Sequence, residues 1–252
     1  MSRKSVHFNL DTVEWKPLGE VMPSYQQSSA GAEAKFLNED PDTGAFTMVV
    51  KLPAGTADPA RGSHASDEEM FLLEGDLTID GESFKAPAYW HFPAGTVHGD
   101  ARTDGGATLI EAFTGPCDFT PATDAELAAA PVSRGIDVDA LEWKATNELR
   151  ENYTYAGPVS KVLRGDPERT GFTSMARLPA GYSHPDLAYH QCTQEQFLLE
   201  GSVNETGKDR HALAYWCHPP GEVHGKSFTT DEACTSILFF DGPWEVTVVE
   251  EE

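Results

Sequence analysis

His64, Glu68, Glu69 and His98 form a set of imidazoles and carboxylates that recurs along the chain as His190, Gln194, Glu195 and His224. Imidazole nitrogen and carboxylate oxygen together suit a borderline divalent metal. Two histidines with one carboxylate also leave coordination positions open, an arrangement used around non-haem ferrous iron. A lone histidine at a turn is usually an ordinary hydrogen-bonded residue. Two at matching places in each of two copies, bracketing one phrase, favour ligation. Iron(II) is the favoured ion, with zinc, manganese or nickel as the others. Which carboxylate serves stays open. If it is Glu69 and Glu195, both copies can bind metal; if it is Glu68, the second copy offers only the neutral Gln194. His184, which replaces Asp58, and His218, beside Pro219, are further candidates to complete the second set. Cys192, two residues from His190, is set aside as a small buried hydrophobe.

The recurrence extends beyond these residues. EEMFLLEGDL begins at Glu68 and QEQFLLEGSV at Gln194, and the same offset carries Lys35, Pro53, Gly55, Tyr89, Trp90, Pro93 and Gly95 onto Lys161, Pro179, Gly181, Tyr215, Trp216, Pro219 and Gly221. Glu14, Trp15 and Lys16 match Glu142, Trp143 and Lys144 in a slightly shifted register. A unit of this size can close its own core, so an internal duplication into two domains of one fold is expected. The boundaries read as an N-terminal domain over 1–123, a linker over 124–137 and a C-terminal domain over 138–252. Trp15 and Trp143 are expected to anchor the opening strand of each core.

The elements that must position these side chains are strands. Phe46 to Leu52, Met70 to Leu73, Leu77 to Ile79, Thr108 to Phe113, Phe172 to Leu178, Phe197 to Leu199, Ser236 to Phe240 and Trp244 to Val249 are short runs rich in Val, Ile, Phe and Thr. DPDTG, LPAG, IDGES, TDGG and HPPG between them are turn chemistry. Such spacing predicts an all-β chain of sandwiches or barrels. Only the segment from Asp124 to Ala130 reads as a short helix. Alternation along a strand lets His64 and Glu68 face one interior point, and the Pro93 and Gly95 turn aims His98 back toward it. Glu74 and Glu200, before the turn glycines, are expected to face solvent.

The net charge of −23 is spread along the chain without a basic patch, which excludes a phosphate-backbone binder. No apolar run approaches the length of a membrane span, and MSRKSVHFNLD has no apolar core or small-residue cleavage site, so a cytoplasmic protein is expected. Cys117, Cys192, Cys217 and Cys234 occupy unmatched places and read as reduced thiols. No GxGxxG or P-loop appears, so no nucleotide or flavin is expected. The expected partner is a small-molecule substrate or ligand, not nucleic acid or a membrane, in an assembly compatible with a homodimer.

His64, the acidic pair, MFLLEG and PAGTVHG resemble the two motifs of the cupin superfamily, and His190, QFLLEG and PPGEVHG repeat them. The resemblance implies two tandem jelly-roll β-barrels, a bicupin, with the motif side chains meeting around a metal inside each barrel. The LLEG and PPG-x-x-H wording is similar to the ChrR-like group, which contains a zinc-binding anti-sigma factor domain and some ring- or diketone-cleaving dioxygenases. The first histidine of the usual His-x-His is replaced by Gly62 in one copy and Ala188 in the other, so the motifs supply at most three ligands per barrel. The resemblance implies one of two functions. One is a metal-dependent dioxygenase acting on a small diketone or phenolic ketone; the other is a non-catalytic metal or small-ligand sensor. The stretch before Trp15 is too short for the helical anti-sigma segment, which tilts the expectation toward the enzyme.

Overall fold

Both FLLEG phrases lie on strands that run through the middle of a sheet. In a computed structural model that describes residues 3–23, 30–130, 134–149, 156–205, 207–226 and 228–249, the first belongs to the long strand Glu68–Ile79 and the second to Gln194–Glu200. Each is flanked by two antiparallel partners: Ala88–Phe92 and Ala107–Phe113 in one case, Ala214–His218 and Cys234–Phe240 in the other. Among the described residues no helix is long and apolar enough to cross a membrane.

The chain divides into two compact units, residues Val13–Ala140 and the segments Met1–Thr12 and Leu141–Glu252. In the first, one layer carries Glu33–Glu39, Phe46–Leu52, Ala107–Phe113, the opening half of Glu68–Ile79 and Ala88–Phe92. The other carries Ala57–His64, His98–Arg102 and the closing half of the same long strand with Glu82–Lys85. One strand therefore serves both layers, and it must bend between them.

The FLLEG glycine makes that bend. Pairing with Ala107–Phe113 slips between Thr108 and Leu109, and Gly75 adopts φ +88°, where a Cβ would sit 1.9 Å from the Gly106 carbonyl oxygen. Gly201 repeats the conformation at φ +81°, 2.5 Å from the Ala233 oxygen. A residue with a Cβ meets both left-handed strain and a backbone clash there. Gly75→Ala is expected to lose roughly 3 kcal/mol or more of stability, read by urea denaturation. A loss within experimental error of zero would show that the bend does not need glycine.

The unit boundaries differ from those expected at 1–123 and 138–252, and sheet-edge hydrogen bonds are the reason. Val6–Asn9 forms the edge strand beside Ala214–His218, with Phe8 opposite Tyr215. Ile136–Asp137 does the same beside Ala88–Phe92, with Ile136 opposite Tyr89. Each edge is thus completed by the segment that precedes the other half in sequence. The expected helix is present as Asp124–Ala129, closed by a capping box between Thr123 and Glu126, but it belongs to the Val13–Ala140 unit. Of the expected linker, residues 131–133 lie outside the described residues, as does the acidic tail 250–252.

Alternation fills the interiors. Met70, Leu72, Leu77, Ile79, Trp90 and Leu109 form one buried cluster, and Phe46, Met48, Val50 and Phe113 another. In the other unit Leu198, Val203, Ala214, Trp216 and Cys234 pack together. Tyr89, Trp90, Tyr215 and Trp216 are fully buried, with Trp90 and Trp216 inside these clusters and the two tyrosines on the opposite faces of their strands. Trp15 and Trp143 are not core anchors: Trp15 is 36% exposed, and Lys35 lies over its ring as Lys161 lies over that of Trp143, each 4.8 Å from the ring centre. Each indole shelters a lysine stem on the outside of the sheet instead. Near the C-terminus, the strand expected over 244–249 shortens to Thr247–Val248, paired with Leu187–Tyr189. Glu74 and Glu200 face solvent as expected.

Candidate metal centre

In the Val13–Ala140 unit, strand geometry brings three of the singled-out residues together. His64 ends the strand Ala57–His64, Glu68 begins Glu68–Ile79 and His98 begins His98–Arg102. Their donor atoms lie within 4.8 Å of one another and all three side chains are buried. Glu68 Oε2 stands 2.8 Å from His98 Nε2 and 3.5 Å from His64 Nε2. The far nitrogens are anchored: His98 Nδ1 donates to the Thr96 carbonyl at 2.9 Å and His64 Nδ1 to the Asp118 carbonyl at 3.2 Å. These tethers fix the orientation of each ring and turn Nε2 inward, the usual preparation of a metal-binding imidazole. Phe92 stacks on His98 at 4.0 Å, and Phe113 meets the His64 ring edge-on at 5.1 Å.

Electrostatics separates the two imidazoles. Burial pushes the His64 pKa down, only partly offset by Glu68. Burial works the same way on His98, but its direct hydrogen bond to Glu68 and that carboxylate's charge carry the pKa above the ordinary histidine value.

Glu69 and Glu68 point to opposite faces of their strand, as neighbours must. Glu69 accepts a hydrogen bond from the Tyr89 hydroxyl at 2.6 Å, away from the histidines. Glu195 likewise turns away and receives Tyr215 and Arg3. The geometry therefore groups Glu68, and not Glu69, with His64 and His98.

A residue absent from the sequence expectations completes the surroundings. Glu111, in the middle of Ala107–Phe113, is buried in the same cavity, and its Oε2 has no hydrogen-bond partner among the described residues. Burial, with the charge of Glu68 adding to it, pushes its carboxyl up to about 8. The available signal was parity: an acid between Leu109 and Phe113 shares their inward face. Gly62, in turn, could not hold the missing histidine as packed here, because a Cβ would lie 2.3 Å from the Thr120 carbonyl oxygen and 2.6 Å from the Phe119 ring. The cavity has a volume of about 460 Å³, with Val50, Met70, Leu77, Ile79 and Leu109 among its apolar walls.

The other unit gathers a different set. His184, His190, Gln194, His218 and His224 line a smaller cavity of about 140 Å³. His184, His190 and His224 each have Nδ1 on a backbone carbonyl, those of Asp186, Glu245 and Glu222, at 2.8 to 2.9 Å. The Gln194 Oε1 is buried without a partner among the described residues. His218 stacks on His224 at 4.0 Å, the place Phe92 has over His98. Leu238 opposes Gln196 as Glu111 opposes Met70, so the second carboxylate has no counterpart. Burial, then the neighbouring His218, His190 and His184, lowers the His224 pKa to about 3. Cys192 is buried, and its thiol donates to the Pro243 carbonyl at 3.4 Å instead of joining this set.

Layered antiparallel strands around interiors rich in imidazole define a cupin-type β-sandwich jelly-roll fold, and solved structures share it. A structure from Nostoc punctiforme, provisionally described as a dioxygenase, superposes with a TM-score of 0.82 at 18% identity, covering 100% of this chain and 89% of that one. The salicylate 1,2-dioxygenase G106A mutant of Pseudoaminobacter salicylatoxidans gives 0.65 at 13%, covering 97% and 88%, and an oxalate decarboxylase formate complex from Lactobacillus farciminis 0.61 at 13%, covering 98% and 89%. An acetylacetone-cleaving enzyme of Acinetobacter johnsonii is 28% identical over 98 residues, which is 36% of this chain and 63% of that protein's length. The chain belongs to the family described as a domain of unknown function, DUF4437, whose model matches residues 9–247.

Proposed function

We propose that the protein is a metal-dependent dioxygenase, with ferrous iron held by His64, Glu68 and His98 and a small diketone or phenolic ketone as substrate. The observation that carries this reading is the buried convergence of two tethered imidazoles and one carboxylate on a largely apolar cavity. The donor set fits the ion: two neutral nitrogens and one charged oxygen leave coordination positions for other ligands. Likeness to an acetylacetone-cleaving enzyme over 98 residues supports the substrate class. Glu69 and Glu195 stand outside the ligand set in this reading.

Iron in this place supplies Lewis acidity toward substrate oxygens and access to one-electron redox chemistry. The chain's own residues do the rest. Thr96 and Asp118 hold the imidazoles in orientation through their carbonyls. Leu77, Ile79 and Leu109 give the cavity an apolar wall. Glu111 lines the cavity with Oε2 free to hold a proton beside a substrate oxygen.

The C-terminal cavity supports a second, non-catalytic metal reading. Its three tethered imidazoles and the Gln194 Oε1 are neutral donors in a smaller space, but His184, His190 and His224 are not among the groups of described residues whose donor atoms converge within 4.8 Å, so this reading is the weaker of the two.

The test is anaerobic loading with ferrous iron, followed by oxygen-electrode assays against small β-diketones and hydroxylated aromatic ketones. Substrate-dependent oxygen consumption that disappears in His64→Ala is expected. Iron bound at full occupancy with no oxygen uptake on any member of the panel would count against the enzyme and leave metal binding alone.

A further inference from the structure

A second cluster of ligating groups lies where the N-terminal strand meets the C-terminal sheet. His7, on Val6–Asn9, faces His218, on Ala214–His218, with ring centres 4.8 Å apart. Glu222 reaches both: its Oε1 is 3.2 Å from His218 Nδ1 and 3.6 Å from His7 Nε2. Donor atoms of the three residues lie within 4.8 Å of one another. From the opposite side Glu205 backs both rings, with Oε2 2.7 Å from His7 Nδ1 and Oε1 3.7 Å from His218 Nε2. None of these residues belongs to the His64, Glu68 and His98 set.

We infer that His7, His218 and Glu222 form a binding site for a divalent transition metal of the zinc type, with Glu205 as the carboxylate that orients the two histidines. Two arguments converge. Two of the donor separations match ligands to one ion: bonds of about 2.0 to 2.1 Å in a tetrahedron separate neighbouring donors by roughly 3.3 Å, close to the 3.2 and 3.6 Å seen at Glu222 Oε1, and the third is within 4.8 Å. The far nitrogen of His7 is held by a carboxylate at hydrogen-bond distance, an arrangement common behind metal-binding histidines.

The site depends on the N-terminal strand, because His7 supplies a ligand and Ser5 donates to Glu222 Oε1 at 2.9 Å. A bound ion would therefore fasten that strand to the sheet edge. It would also fix His218, whose ring lies flat on His224. The inference does not rest on the proposed dioxygenase activity.

The experiment uses the iron-loaded full chain. Zinc uptake is measured by competition with a chromophoric chelator and by elemental analysis after gel filtration, for wild type, His7→Ala, Glu222→Gln, His98→Ala and His190→Ala. One zinc equivalent is expected to persist in His98→Ala and His190→Ala and to weaken by more than about 10-fold in His7→Ala and Glu222→Gln. Zinc should raise the thermal midpoint of wild type and not that of Glu222→Gln, a variant that keeps the backbone pairing of Val6–Asn9. Zinc affinity and midpoint shift unchanged in both His7→Ala and Glu222→Gln would overturn the inference and leave an ion-pair network only. So would a wild-type protein that takes up no zinc dependent on these residues.

Discussion

Iron-loaded His98→Ala protein is expected to retain less than about one hundredth of the wild-type rate of substrate-dependent oxygen consumption, while His224→Ala retains most of it. Loss of a partner that merely orients a metal-binding histidine already costs about 10- to 100-fold, and loss of the ligand itself should cost at least as much. His98 is placed for that role by three independent contacts: Nε2 on Glu68, Nδ1 on the Thr96 carbonyl and the ring on Phe92. His224 has the same backbone tether and a similar stacking partner, but Gln194 stands where Glu68 does and Leu238 where Glu111 does. A neutral donor set attracts a divalent cation less than one containing a carboxylate, since the direct Coulomb attraction is missing. Elemental analysis of both variants, alongside the oxygen electrode, separates loss of metal from loss of turnover. Equal losses of iron from the two variants would mean that the cavities are equivalent and that the Glu68 to Gln194 difference does not control loading.

How much of this was legible in the sequence differs by residue. The strand class followed from turn-punctuated apolar runs, because period-two alternation and Gly or Pro turns are local signals. His64 and His98 could be paired because the same residues bracket FLLEG again at His190 and His224. The choice between Glu68 and Glu69 could not be made, since it is a matter of parity: a shift of one residue in register exchanges the two faces of the strand. Opposition of Glu68 to Phe92 and Phe113 sets that register. Glu111 lies more than forty residues from Glu68 and joins it only through strand pairing, so it belongs to no local motif. The exchange of edge strands was hidden for a related reason. Val6–Asn9 and Ile136–Asp137 are short, and nothing in a four- or two-residue strand encodes which sheet edge it will join. Trp15 misled because a large aromatic ring normally signals a core, whereas this one covers the stem of Lys35.

The metal-free protein is expected to lose stability as pH rises from about 4.5 to about 8, and Glu111→Gln to remove most of that loss. In the unfolded chain the Glu111 carboxyl titrates near 4.5; in the fold, burial and then the charge of Glu68 raise it to about 8. Between those values the native state keeps a proton that the unfolded state has released. Stability therefore falls with rising pH across this window and levels off above it, the reverse of a salt-bridged carboxylate. A shift of this size corresponds to roughly 3 kcal/mol lost by pH 7 and about 4 to 5 kcal/mol above pH 9. Glutamine matches the protonated carboxyl in shape and in having no charge, so the two proteins should be nearly equal near pH 4.5 and diverge steadily above it. Other ionisable groups, among them His64 and His98, are common to both proteins and largely cancel in the difference. Urea denaturation of chelator-treated wild type and Glu111→Gln at half-unit pH intervals provides that difference directly. A gap that stays constant from pH 4.5 to pH 9 would mean that Glu111 keeps an ordinary carboxylate pKa, and that the cavity does not hold two opposed acids in the low-dielectric setting described for it.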